Sequence, residues 1–292
     1  MFLNNTSISD KNAPVSKTVD YLSCLQVIMV NTTLPANIGS AARAMHTMGL
    51  TRLSVVNPKH PIDDTSIAHA AGGQDILANA KIVDHLETAI SDCQLVFAAS
   101  SRSRHLPRPV VNPMQAAEIM MDFIDSQSAI ELGNMPNIAI LFGREDRGLT
   151  NEELSLADYH IQIDANPDYP VLNVASALQV IASFIFTYVQ SHVANNSAKN
   201  AVTMTADEIE DSLELPMLST FRRQQWDEPA INQQQLQHLI KRITELMVAR
   251  NLADSEHLRS LPSRLSRLGS RLQLDQKEYQ LLSALVAKLL KD

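Results

Sequence analysis

Five short apolar runs rich in β-branched residues alternate with helical stretches over residues 21–164. The runs are LQVIMVNT, RLSVVNP, LVFAASS, NIAILFG and YHIQID, and longer stretches such as NPMQAAEIMMDFIDSQ lie between them. Near-continuous apolar strands separated by helices are typical of a parallel sheet that is covered on both faces. The first part of the chain is therefore predicted to be an α/β domain.

The rest of the chain divides by composition. Residues 1–20 are polar and lack the basic and apolar segments of a signal peptide, so we expect a disordered tail. Residues 195–215 are polar and acidic, and they resemble a linker between an α/β domain at 21–194 and a helical extension at 216–292. The extension has 12 basic and 8 acidic residues, whereas residues 1–215 have 12 basic and 24 acidic ones. The extension is thus the basic part of an acidic chain.

Within the extension, the stretch RSLPSRLSRLGSRLQL predicts a helix with two stripes. Leucines recur at steps of four, three and four: Leu261, Leu265, Leu268 and Leu272. Arginines follow the same period one position earlier: Arg264, Arg267 and Arg271. One interpretation is a bundle helix with a solvated basic face, and the other is an RNA-binding helix whose guanidinium groups contact phosphates.

Several kinds of site are excluded or disfavoured. The chain has no GxGxxG, GxxxxGK[ST] or GxSxG motif, which disfavours dinucleotide, P-loop and α/β-hydrolase chemistry. Cys24 and Cys93 lie in apolar stretches without CxxC spacing, and the nine histidines form no HExxH, so we predict core thiols and no metal site. The apolar stretch at 171–190 is interrupted by polar residues, which favours a core or interface helix of a cytoplasmic protein and no membrane contact.

Three loops combine strand ends with glycine, polar and charged residues. In NIGSAARAM, Asn37 suits a helix N-cap, Gly39 permits close backbone approach, and Arg43 follows within two turns. A helix that only packs has no need of this glycine and arginine. Each polar residue could be only a helix cap or a first-turn carboxylate, but ligand sites of open α/β sheets form beyond the carboxyl ends of strands, where all three loops lie.

The other two loops have the same character. In LFGREDRGLTNEEL, Gly143 ends a strand, Glu145 follows it, and the pair Thr150 and Glu153 predicts a capping box for the next helix. In IDANPDYPVLNVASALQ, two prolines mark turns and a helix begins near Asn173.

The three loops together carry a resemblance. In order, NIGSAARAMHTMGL, LFGREDRGLTNEEL and NPDYPVLNVASALQV resemble the three motifs of the SPOUT superfamily of RNA methyltransferases. With HAAGGQDILANAKIVDHLETAI and SSRSRHLPRP between them, the chain resembles the TrmJ type, which methylates the ribose 2'-oxygen of nucleotide 32 in the tRNA anticodon loop. The similarity covers about residues 22–190, and the basic extension is similar to the appendix of that type.

The resemblance implies a fold, a cofactor and partners. The fold is a Rossmann-like α/β domain with a parallel sheet and a C-terminal trefoil knot, to which a small helical domain is joined. It implies S-adenosylmethionine as the methyl donor, a homodimer, and tRNA as the partner. By similarity, the cofactor contacts Ala99, Ser100, Ser101, Gly143, Ile163, Pro170, Val171 and Leu172.

The resemblance also implies residue roles. Arg43 matches the arginine at the target ribose, and Asn37, Glu145 and Asn173 match residues that brace the motifs and this arginine. Gly39 and its neighbouring alanines would leave room for a nucleotide. One position departs from the pattern, because Val171 stands where relatives commonly have serine. Val171 thus leaves open a non-catalytic RNA-binding relative. Methylation of another RNA, such as ribosomal RNA, is a further alternative, which the basic C-terminal extension disfavours.

Overall fold

The computed structural model describes residues 21–100, 108–130, 135–201, 226, 228–254, 258 and 260–291. The predicted N-terminal tail, Ser101 and most of the acidic linker lie outside these residues. The helix that enters the linker region continues to Ala201. The domain boundaries themselves stay predictions.

Seven strands form one parallel sheet in the order β3-β2-β1-β6-β4-β7-β5. They are β1 (Leu25–Val30), β2 (Arg52–Val56), β3 (Lys81–Val83), β4 (Leu95–Ala99), β5 (Val110–Val111), β6 (Ile138–Phe142) and β7 (Tyr159–Ile161). The five predicted runs are confirmed as β1, β2, β4, β6 and β7. The pattern missed the two edge strands, β3 and β5, because they have only three and two residues and expose Ile82 and Val110. The trefoil knot stays a prediction.

Helices cover both faces of the sheet, as predicted. The helices of this part are α1 (Pro35–Thr47), α2 (Asp64–Ala70), α3 (Gln74–Ala78), α4 (Leu86–Ala89), α5 (Pro113–Ile130), α6 (Asn151–Ser155) and α7 (Val174–Ala201). One apolar core joins the sheet to α1, α3, α5 and α7, and a second core on the opposite face joins it to α4 and α6. Cys24 belongs to the first core and Cys93 to the second, so both are core thiols.

Helix α7 is the predicted apolar helix. By length and composition alone, its stretch Val174–Ala194 could cross a membrane, and it is the one such helix among the described residues. Its buried side chains recur every three or four residues, as at Leu178, Ile181, Ile185 and Val189, and this side packs on α1 and α5. The prediction of a core helix is confirmed for this side of α7.

Over the residues of the extension that the structure describes, three helices form: α8 (Gln233–Ala249), α9 (Leu261–Leu272) and α10 (Gln276–Lys291). The predicted leucine stripe of α9 is only partly buried. Leu265 packs on the core of the extension, but Leu268 and Leu272 are 44% and 49% exposed. The reason is the close approach at Gly269, where an added Cβ would lie 2.5 Å from Leu236 Cδ1. The side of α9 that packs on the extension's core thus includes Leu265 and Gly269, and Leu268 and Leu272 lie at the surface.

Candidate active site

A cavity opens where β4, β6 and β7, which are neighbours in the sheet, end. It has about 830 Å³ of empty space including its open mouth. Its apolar lining comes from strand ends and the start of α7: Phe142, Leu149, Ile161, Val174 and Ala177. Strand ends of a parallel sheet are the usual place for a ligand in this class of fold, and this cavity occupies that place.

The cavity brings together the residues predicted to contact a cofactor. Seven of the eight line it: Ala99, Ser100, Gly143, Ile163, Pro170, Val171 and Leu172. The eighth, Ser101, lies outside the described residues. These seven come from three separate stretches of chain, so the fold unites what the sequence places far apart.

The loop after β6 forms one wall of the cavity. At Gly143, an added Cβ would lie 2.2 Å from the backbone of Gly148 and Leu149, so only glycine fits there. Gly148 has a φ of +68°, which favours glycine as well, and its N–H donates to the Arg144 carbonyl at 2.9 Å. The sequence GREDRGL therefore closes on itself as a tight turn.

An ion pair fastens this turn to the next helix. Arg144 Nη2 lies 2.8 Å from Glu153 Oε1, with 14% and 15% of the two side chains exposed. Glu153 also accepts the N–H of Thr150, and the Thr150 hydroxyl accepts the N–H of Glu153. The predicted capping box is confirmed, and it holds α6 directly behind the cavity wall.

A polar network links the three predicted motifs beside the cavity. Asn173 Nδ2 donates to Asn37 Oδ1 at 3.0 Å, and Asn37 Nδ2 donates to Glu145 Oε1 at 2.7 Å. Asn173 Oδ1 also accepts the N–H of Ala175 at 2.9 Å and so caps α7. Asn37, Glu145 and Asn173, which the resemblance implies as supporting residues, are thus linked by direct hydrogen bonds.

Glu145 is the hub of this network. Besides Asn37, its carboxylate accepts the Thr33 hydroxyl at 2.5 Å, the Thr33 N–H at 3.0 Å and the Leu34 N–H at 3.2 Å. Burial alone would raise the pKa of this carboxyl, but the hydrogen bonds from Thr33 and Asn37 outweigh it and hold the pKa below its ordinary value. Glu145 is therefore a fixed acceptor and not a proton donor near neutral pH.

The sequence did not predict that Thr33 belongs to this network. It contributes two of the four hydrogen bonds to Glu145, three residues after the end of β1. Its position after a buried strand was the only local signal, because its partner lies 112 residues away.

Two expectations for the first motif are wrong. Asn37 is not an N-cap, because α1 begins two residues earlier at Pro35, and the Asn37 amide points to Glu145 instead. Gly39 does not leave room for a nucleotide, because an added Cβ would lie 2.1 Å from the Ser66 carbonyl oxygen. The close approach that this glycine permits is the packing of α2 on α1, and the neighbouring Ala41 and Ala42 are buried in the core.

Arg43 lies apart from the cavity. Its side chain is exposed on α1, and it is not among the residues that line the cavity. Within the described part of the chain, its guanidinium has no hydrogen bond or ion pair. The arginines of the extension lie on α9, where Arg264 and Arg271 are exposed and Arg267 is half-buried.

Metal ligands are not grouped in the part of the chain that the structure describes. No three histidine, cysteine, aspartate or glutamate side chains among those residues lie close enough to hold an ion.

Comparisons with known proteins agree with this geometry. The model of the SpoU rRNA Methylase family matches residues 24–183. An uncharacterized tRNA/rRNA methyltransferase of Haemophilus influenzae is 40% identical over 183 residues, which make up 63% of this chain and 70% of that protein. The tRNA (cytidine/uridine-2'-O-)-methyltransferase TrmJ of Escherichia coli K12 is 47% identical over 161 residues, which make up 55% of this chain and 62% of TrmJ.

A solved structure shows the same fold. The crystal structure of TrmJ from Z. mobilis ZM4 superposes with a TM-score of 0.68 at 23% identity, covering 90% of this chain and 98% of that one. The fold and the family resemblance of the three motifs are confirmed. Because the family model matches more than half of the chain, this protein belongs to the SpoU rRNA methylase family, a family of methyltransferases that use S-adenosylmethionine.

Proposed function

We propose that this protein methylates the ribose 2'-oxygen of cytidine or uridine at position 32 of the tRNA anticodon loop. The observation that carries the proposal is the junction of the strand-end cavity with the Asn37, Glu145 and Asn173 network. The E. coli relative TrmJ, named a tRNA (cytidine/uridine-2'-O-)-methyltransferase, supports the substrate class. With this substrate, we also propose a cytoplasmic location.

The cavity fits S-adenosylmethionine chemically. Phe142, Leu149 and Ile161 offer apolar surface for an adenine ring, and small residues such as Gly143 and Ser100 leave backbone groups accessible for hydrogen bonds. When bound, this cofactor supplies an electrophilic methyl group on a sulfonium. The chain's own part is to hold the donor at the strand ends and to position the RNA.

We assign to Arg43 the stabilisation of the negative charge that develops on the ribose 2'-oxygen. A neutral 2'-hydroxyl is a weak nucleophile, and its oxygen gains negative charge as the proton leaves and the bond to the methyl carbon forms. A guanidinium beside that oxygen stabilises the charge and can bind the adjoining phosphate. A guanidinium is not deprotonated in proteins, so the role of Arg43 is electrostatic and the proton of the hydroxyl passes to water.

Arg43 does not line the cavity of its own subunit. In a homodimer, Arg43 of one subunit would reach the cavity of the other. Exposed apolar side chains in and next to the cavity support a covered edge here. Val171 and Leu172 line the cavity and are 47% and 39% exposed. Tyr169, which precedes the lining residue Pro170, and Leu34, whose N–H donates to Glu145, are 77% and 54% exposed. Mixing an Arg43→Ala subunit with a Gly143→Val subunit tests this arrangement. Two inactive variants regain activity on mixing if one subunit supplies the arginine and the other the cavity.

The arginines of α9 are proposed to bind tRNA phosphates. Arg264, Arg267 and Arg271 lie on a helix without an acidic residue. Replacing all three with glutamine is expected to weaken tRNA binding while S-adenosylmethionine binding persists. If the triple variant binds tRNA as tightly as the unaltered protein does, the stripe is only a solvated face.

The direct test is a methylation assay. The purified protein is incubated with unmodified tRNA and methyl-labelled S-adenosylmethionine, followed by nuclease digestion and mass spectrometry of the nucleosides. Label in 2'-O-methylcytidine or 2'-O-methyluridine is expected, and it should vanish with tRNA that carries a 2'-deoxy nucleotide at position 32. Label at another tRNA position would contradict the assignment of position 32. Label only in ribosomal RNA would contradict the assignment of tRNA as the substrate.

Val171 defines a second candidate, a relative that binds RNA without catalysis. This residue lines the cavity where relatives commonly have serine, so any hydroxyl contact there is missing. Binding of both tRNA and cofactor without transfer of label would support this candidate, and the Val171→Ser variant would then be expected to gain activity.

A further inference from the structure

One guanidinium connects the α/β domain to the extension. Arg108 immediately precedes Pro109 and β5 in the α/β domain. Its Nη2 donates to the Ser155 carbonyl at the end of α6 at 2.6 Å and to the Ser266 hydroxyl on α9 at 3.2 Å. Other hydrogen bonds join the same two parts: the Gln233 N–H donates to the Cys93 carbonyl at 2.9 Å, and the Ala230 N–H donates to the Gln127 side chain at 2.8 Å. The extension is therefore held against the α/β domain by specific polar contacts, and the contact of Arg108 is made with α9.

A second contact lies one helical turn further along α9. Ser270 hydrogen-bonds to Asp158, whose carboxylate also accepts the Val96 N–H at 2.9 Å. Burial raises the pKa of Asp158, while the charge of Arg108 opposes this rise. Ser266 and Ser270 are neighbours on one face of the helix, because residues four apart lie one above the other. That face of α9 is the docked face.

The basic stripe lies beside this docked face. Arg267 and Arg271 each follow one of the two docking serines, and both are close enough to Arg108 to lower its pKa by repulsion, after the larger effect of burial. No ion pair of Arg264, Arg267 or Arg271 is present within the described ranges. The three arginines of α9 thus share one surface, which an anionic partner would complement.

Helix α6 relates this surface to the cavity. It has five residues and a capping box, so it is short and well fixed. Its first residues follow the loop that forms the cavity wall, and its last carbonyl accepts from Arg108. Helix α6 and Arg108 therefore form one direct connection between the cavity wall and α9.

We propose that Arg108 is a positioning residue for RNA, which holds Ser266 against the end of α6 and so fixes Arg267 and Arg271 at a set distance from the cavity. The partner of this surface is the phosphodiester backbone of the RNA. The inference rests on the proposed function for the identity of the substrate. Fixing the phosphate-binding groups before the RNA arrives reduces the entropy that binding must remove.

The test separates positioning from stability. Ser266→Ala removes the contact between Arg108 and α9 but leaves the bond from Arg108 to Ser155. Ser263→Ala is the matched control, because its hydroxyl donates to the carbonyl of Ser260, the N-cap of α9, at 2.9 Å and not to the α/β domain. Binding of fluorescent tRNA and methylation kinetics are measured with full-length protein for both variants.

We expect Ser266→Ala to weaken tRNA binding about tenfold or more, in line with the loss of one hydrogen bond to a charged group, and to raise KM for tRNA while kcat changes little. The slope of log affinity against log salt should become shallower, because fewer phosphates are neutralised. In an Arg267→Gln, Arg271→Gln background, Ser266→Ala should have no further effect, because the groups that it positions are gone.

Three results would overturn the inference. They are unchanged tRNA binding by Ser266→Ala, an equal effect of Ser263→Ala, and additive effects in the double-glutamine background. A lower melting temperature with unchanged tRNA affinity would show a purely structural contact. A failure of the proposed function can be distinguished from a failure of this inference. If the unaltered protein binds tRNA but does not methylate it, the proposed function is wrong, and the tRNA affinities of the variants can still be compared.

Discussion

Asn37 donates a 2.7 Å hydrogen bond to Glu145 across 108 residues of sequence, and this contact connects the first motif to the second. The same amide accepts from Asn173, so one buried side chain touches both other motifs. Asn37 is 7% exposed, whereas Asn173 is exposed to solvent. An asparagine is needed here because it can donate to a carboxylate and accept from an amide at once.

Replacing Asn37 with alanine should damage both stability and catalysis. Glu145 loses a hydrogen bond to its charged group, so we expect the free energy of unfolding to fall by about 2 kcal/mol. Misplacement of the motifs should lower the methylation rate about a hundredfold. Thermal unfolding and single-turnover methylation check this. The control is Asn79→Ala on the exposed end of α3, and equal losses in both variants would contradict the prediction.

Arg43→Ala should separate catalysis from folding. Because the side chain is exposed and has no partner in the described structure, the free energy of unfolding should change by less than about 0.5 kcal/mol. The methylation rate should fall by about a hundredfold or more, as when a charge-stabilising donor is removed. Cofactor affinity, measured by calorimetry, should stay the same, and a loss of it would count against the electrostatic role. Lys81→Ala, on the far edge strand, serves as the control for a lost surface charge.

The sequence predicted local features well and long-range ones poorly. Strand ends such as Gly143 and the capping box at Thr150 are marked by neighbouring residues, and both are where they were predicted. The N-cap interpretation of Asn37 was wrong because its side-chain partner is distant in sequence and because α1 already begins at Pro35. The contact of Arg108 with Ser266 spans 158 residues and has no local pattern at all.

Two glycine substitutions should lower the free energy of unfolding by different amounts, because one creates a steric clash and the other strains the backbone. Gly39→Ala places a methyl group 2.1 Å from the Ser66 carbonyl, so α1 and α2 must separate, at a cost of about 3 kcal/mol. Gly148→Ala meets no atom within 4 Å and only strains a positive φ, at a cost of about 1–2 kcal/mol. Chemical denaturation of both variants measures the difference. An equal or reversed order would mean that α2 yields without loss of packing.

Stability at low pH should depend on Glu145. Its pKa is lower in the folded protein than its ordinary value of 4.5, so its ionised form stabilises the fold above that pH. The stabilisation is lost as the pH falls through the folded pKa. The gap in free energy of unfolding between the unaltered protein and Glu145→Gln should therefore be constant above about pH 5 and shrink below about pH 4.5. Denaturation curves from pH 3 to 7 test this, and a gap independent of pH would refute it.

Both thiols should be inert in the folded protein. Burial, together with the charge of Asp92, raises the pKa of Cys93 to about 12, and Cys24 is 1% exposed. Because the thiolate is the reactive form, a thiol reagent such as Ellman's should label neither residue under native conditions and both after denaturation. Mass spectrometry of the labelled protein counts the modified thiols. Rapid native labelling of Cys93 would mean that the core around α4 opens readily, since this side chain is otherwise sealed from solvent.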